Sequence, residues 1–207
     1  RIIAVGGSTT ANERPYLINK VDYPKALENK LTERYQGSAF EVLNAGADAY
    51  STAQSLINLQ FRLVEFKPDI VLLMHNINDS SVNAFQEGAT PDYSNKYLDP
   101  VYLNPSLQEK TTILGLLAKS RLLAKIGLVQ LLGDMNLNMD NSHDYGLQLF
   151  KRNLASIVRI CKLHGIGLVL LSQPSTMEES RYIRNEVFLE YGEAIQKVAS
   201  QEEITFI

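Results

Sequence analysis

Three short runs, Ile2–Val5, Ile70–Met74 and Ile166–Leu171, are apolar at nearly every position and rich in Val, Ile and Leu. A strand with one wet face alternates apolar and polar residues, whereas a strand covered on both faces does not. These runs therefore predict strands of a parallel sheet. Glu41–Asn44 and the terminal Ile204–Ile207 are two further strand candidates. Longer amphipathic stretches separate them. Pro24 suits the first turn of "PKALENKLTERY". Ser51 or Thr52 caps "AQSLINLQFRLVEF", and Pro68 marks its end. Tyr145–His164 closes at Gly165, and Arg181–Ser200 forms a last helix. This β-α-β-α order predicts one doubly wound α/β domain spanning 1–207.

Residues 84–145 break the rhythm and read as an insertion or lid. The first part, "FQEGATPDYSNKYLDPVYLNPS", reads as ordered loop. The second, "TTILGLLAKSRLLAKIGLVQLLG", is apolar with interspersed Lys119, Arg121 and Lys125. A lid, a membrane-surface helix and plain core packing all fit it. Gly115, Gly127 and Gly133 weaken a single long helix.

With 207 residues, 45% of them hydrophobic, the chain can bury a substantial core. The net charge of −3 and the scattered Lys and Arg give no footing to a nucleic-acid partner. The single cysteine, Cys161, shares a helical face with Phe150, Leu154, Ile157 and Val158 and reads as a core thiol. No apolar run reaches the ~20 residues of a spanning helix. The chain starts without Met, inside a strand, and stops inside another, so it is expected to be truncated at both ends. Localisation is then unreadable, and membrane association stays open.

In an open parallel sheet, ligands bind beyond the carboxyl ends of the strands. There the sequence places "GGSTT", "NAGADAYST", "HNINDSS" and "SQPS" in turn. Ser8 brings a hydroxyl, Gly46 a backbone N–H without a shielding side chain, and Asn78 a side-chain amide. A hydroxyl beside converging donors is what acyl transfer requires, since the donors hold the oxyanion that develops.

The blocks "GGST" at Ser8, "NAG" at Gly46 and "NIND" at Asn78 resemble, in order and spacing, the first three blocks of the SGNH (GDSL-like) hydrolases. "YGEAIQKVASQEEITFI" is similar to the helix and strand before the family's last block. The resemblance implies a three-layer, flavodoxin-like fold with helices on both faces of the sheet. It also implies a serine esterase acting on a small-molecule, glycan or lipid ester, with an acyl group such as acetyl. Ser8 would be the nucleophile and an oxyanion donor through its own N–H, joined by the Gly46 N–H and the Asn78 amide, and Asp79 would brace the loop. Three departures stand out. Gly7 replaces the family's Asp, Asn76 replaces a Gly and is expected to add a side chain at the mouth of the site, and the chain stops before the closing Asp-x-x-His block. The chain as given is therefore expected to be inactive.

The three histidines do not replace that block. His164 reads as a helix-end residue, His143 as a loop residue, and His75 as a satisfied structural imidazole that could instead touch substrate. Ser51 and Thr52 read as caps, Asn44 as a loop hydrogen-bonder, and Ser172, Gln173 and Pro174 as the edge of the pocket. Thr10 stands where a Gly-x-Ser-x-Gly elbow needs glycine, and the phosphate-loop and dinucleotide fingerprints are incomplete. No cofactor or metal is implied. A non-catalytic binding domain and an O-acyltransferase remain open on the same fold.

Overall fold

The computed structural model describes residues 1–12, 21–80, 90–93, 142–174 and 185–207. The chain divides into two compact units, Arg1–Ser80 with Leu147–Ile207, and Ser81–Gly146. Of the second unit, the described parts are a turn at 90–93, where Tyr93 N–H donates to Thr90 O at 3.0 Å, and the helical residues 142–146. The rest of the expected 84–145 insertion, its apolar stretch included, lies outside the described residues.

The first unit carries a five-stranded sheet of β1 (Ile2–Gly6), β2 (Val42–Asn44), β3 (Ile70–Met74), β4 (Gly167–Leu171) and β5 (Thr205–Phe206). All pairings are parallel, and the order is β2-β1-β3-β4-β5. That is the flavodoxin-like order, with its topological switch between β1 and β3. The apolar runs thus sit where the sequence predicts, each within a residue or two.

Among the described residues the helices are α1 (Ser8–Ala11), α2 (Tyr23–Arg34), α3 (Thr52–Phe61), α4 (Ile77–Ser80), α5 (Ser142–Leu163) and α6 (Asn185–Gln201), with a 3-10 turn at Leu63–Phe66. Asp22 caps α2 by accepting from Lys25 N–H at 2.8 Å, and Pro24 lies in the first turn. The 53–66 stretch does not run as one helix. It breaks at Arg62, and Lys67 before Pro68 takes a left-handed φ of 50°. Helix α5 begins three residues earlier than expected, which places His143 in a helical turn rather than a loop. It stops where Gly165 adopts φ +68°, a conformation that favours glycine.

Right-handed crossovers put α2 on one face of this sheet and α3, α5 and α6 on the other. The contacts agree. Leu27 and Leu31 of α2 pack with Ile2, Val42 and Leu72. On the opposite face Phe150 of α5 and Tyr191 of α6 stack with ring centroids 4.7 Å apart. Alternation along the strands follows, with Ile3, Val5, Val71, Leu73 and Leu170 almost fully buried. Cys161 is buried among these helices, and burial pushes its thiol up to about 11. It is the core thiol the helical pattern predicts. Among the described residues, no helix is long and apolar enough to cross a membrane.

Candidate active site

The sheet's register decides which loops meet. Gly6 pairs with Met74, and Met74 with Leu171, so β1, β3 and β4 end in one row. The next residues along each chain, Gly7–Ser8, His75–Asn78 and Ser172–Gln173, leave the sheet at the same level. β2 joins them because Ala45 N–H and Ala47 N–H continue the ladder onto Ala4 O and Gly6 O, at 2.8 and 3.1 Å.

Ser8 opens the one-turn helix α1, with Gly7 as its N-cap. The first intrahelical bonds run from Thr10 and Ala11 back to Gly7 O, so the Ser8 N–H precedes them. Ser8 is exposed, and its hydroxyl makes no hydrogen bond to another described residue. The glycines before it answer to crowding. A Cβ on Gly6 would lie 2.1 Å from Thr10 Oγ1 and 2.6 Å from Met74 O. A Cβ on Gly7 would lie 2.5 Å from Asn78 Nδ2 and 3.0 Å from Tyr50 O. The amide of Asn78 therefore rests against the residue preceding Ser8, in the space a side chain at position 7 would claim.

Gly46 lies against the same helix from the other side. A Cβ there would meet Ala11 N at 2.3 Å and Thr10 C at 2.7 Å. Both are backbone atoms, so no side chain fits without moving α1. The Gly46 N–H donates to Asn44 Oδ1 at 2.9 Å. That N–H is thus already engaged within its own loop. Asn44 in turn donates to Thr10 O at 2.8 Å and to Asp22 Oδ2 at 2.9 Å, the loop-bracing role expected of it.

Asn78 is half-buried in α4, and its Nδ2 donates to Tyr50 O at 2.8 Å. That bond fixes the plane of the amide. Asn76 corrects an expectation. Its side chain does not stand at the mouth of the site; it is 2% exposed and donates to Phe188 O of α6 at 2.9 Å. Ser80 Oγ donates back to Asn76 O at 3.0 Å, closing the turn.

Below this edge lies a buried polar network. The Asp79 carboxylate accepts from Thr52 N–H with both oxygens at 3.1 Å, and from the Thr52 hydroxyl. Asn153 Nδ2 reaches Thr52 Oγ1 at 3.1 Å. His75 Nε2 pairs with Ser55 Oγ at 2.7 Å, and its Nδ1 lies 3.9 Å from Asp79 Oδ2. All five side chains are buried, so His75 takes the structural reading and Asp79 braces rather than faces solvent. The helix start follows the first of the two expected caps. Ser51 is the N-cap, with Gln54 Oε1 accepting from its N–H at 2.9 Å, while Thr52 is already helical and is held by Asp79. The sequence shows no signal for Asn153, whose partner is 101 residues away.

At the end of β4, Gln173 accepts from Ile77 N–H at 3.1 Å and donates to Thr9 Oγ1 at 2.9 Å. The pocket-edge residues of the sequence reading thus include one that ties two of the other strand ends together.

Against known proteins, residues 4–207 match the GDSL-like lipase/acylhydrolase family. Comparison with curated protein sequences gives no significant match. Among solved structures, the chain is similar to Axe2, an acetylxylan esterase from Geobacillus stearothermophilus, with TM-score 0.58 and 16% identity over 100% of this chain and 74% of that one. TesA gives TM-score 0.52 and 18% identity over 99% and 76%. The lipase/acylhydrolase from Enterococcus faecalis gives TM-score 0.56 and 16% identity over 100% and 75%. At these identities the likeness is one of fold: an α/β fold built on a parallel five-stranded sheet. The family match, spanning nearly the whole sequence, carries the rest: this chain belongs to the GDSL-like lipase/acylhydrolase family.

Proposed function

We propose that the protein is a serine esterase that removes an acyl group, such as acetyl, from a small-molecule, carbohydrate or lipid ester through an acyl-enzyme on Ser8. One observation carries this reading: the Asn78 amide lies against Gly7, the residue before an exposed serine whose hydroxyl has no partner among the described residues. The Ser8 oxygen attacks the ester carbonyl carbon, and the carbonyl π electrons move onto its oxygen. The Ser8 N–H and the Asn78 amide donate to that oxyanion. The Gly46 N–H reaches it only by sharing its hydrogen with Asn44 Oδ1, so its contribution is the smallest of the three. Collapse expels the alcohol, which takes up a proton, and water then releases the acid from Ser8. The proton leaving Ser8 needs a base, and the family likeness assigns that task to an Asp-x-x-His block beyond the fifth strand.

The test is covalent labelling. The full-length protein should take up a fluorophosphonate probe, and Ser8→Ala should abolish uptake while circular dichroism stays unchanged. Labelling that persists in Ser8→Ala excludes Ser8 as the nucleophile. A folded wild type that neither labels nor hydrolyses p-nitrophenyl acetate excludes the esterase reading.

A further inference from the structure

Gln173 lies outside the groups that would touch the ester, yet it spans the switch point of the sheet. β4 does not neighbour β1; β3 stands between them. The Gln173 side chain crosses the end of β3 to do two things at once. Its oxygen accepts the Ile77 N–H at 3.1 Å, and its nitrogen donates to Thr9 Oγ1 at 2.9 Å. Ile77 precedes Asn78, and Thr9 follows Ser8. Ile77 opens the single turn α4, so its N–H has no intrahelical acceptor and would otherwise go unsatisfied. A primary amide fits because it carries a donor and an acceptor side by side on one rigid plane. Resting on the esterase reading above, we propose that Gln173 is a positioning residue: it sets the spacing between the Ser8 turn and the Asn78 turn, and so the fit of the oxyanion between them.

Losing a pair of neutral hydrogen bonds that matter mainly when the oxyanion forms should slow turnover about tenfold. In the full-length protein, Gln173→Met keeps the volume and removes both bonds. Its kcat for p-nitrophenyl acetate should fall by about that factor with KM within about twofold. Thr9→Val should reproduce part of the loss, and Thr9→Ser should restore it. In an Asn78→Ala background Gln173→Met should change kcat by less than about twofold, because the residue it positions is gone. Independently of activity, amide exchange at Ile77 should quicken in Gln173→Met. An active wild type whose kcat is unmoved by Gln173→Met overturns the role of Gln173 and leaves the esterase reading standing. Losses that add fully to those of Asn78→Ala, or unchanged exchange at Ile77, overturn it too. A wild type that neither labels nor turns over removes the esterase reading itself.

Discussion

The two edges of the sheet handle polar groups in opposite ways. At the amino edge, Arg1 reaches Glu41 and the Phe66 carbonyl in the open, with side-chain exposures of 39% and 50% for the ion pair. Water competes for both charges, and such pairs contribute about 0–1 kcal/mol. At the carboxyl edge, Asp79, Thr52, His75, Ser55 and Asn153 bond to one another out of water. There an unmatched group has no solvent to turn to, so each bond also enforces geometry. The edge that stores precision is the one that carries Ser8 and Asn78.

This contrast can be tested from its largest consequence downward. Asn78→Ala should lower kcat ~10²–10³-fold if the amide serves the oxyanion, with little change in the unfolding midpoint. An unchanged rate would remove Asn78 from that role. Asp79→Ala should cost about 3 kcal/mol of stability in urea titrations, because the buried Thr52 donors lose their acceptor. Gly7→Ala should slow turnover about tenfold by displacing the Asn78 amide, a shift visible in that side chain's NMR resonances. Glu41→Gln, at the opposite edge, should cost under about 1 kcal/mol, and less in high salt. If Glu41→Gln proved as costly as Asp79→Ala, the contrast between the edges would fail.

The strands were legible because continuous Val, Ile and Leu has few uses other than a doubly covered sheet. The helix starts were legible from residues at the first turn, Pro24 in one case and Ser51 in the other, whereas the hold on the Thr52 N–H by a carboxylate 27 residues on left no local mark. The three blocks after the strands were readable as candidates, since small and polar residues there are costly decoration in a core. Their bonding was harder. Asn44 and Gly46 form a local turn from side-chain oxygen to the N–H two residues on, a pattern present in the "NAG" spelling itself. Asn76 gave no such hint, because its partner Phe188 is 112 residues distant. Gln173 and Thr9, 164 residues apart, meet only through the sheet register. For the 84–145 stretch, apolar content alone does not separate core packing from a cover.

The central position of β3 has a consequence for how this architecture opens. β3 is paired along its full length on both sides, whereas β2 is a three-residue border strand whose strand partner in the described sheet is β1. Local unfolding should begin at such a border and spare the middle. A fluctuation that peels β2 away would carry off the Gly46 loop while the Ser8 and Asn78 turns stay clamped to their strands. The proposed oxyanion donors would then belong to two separately melting units.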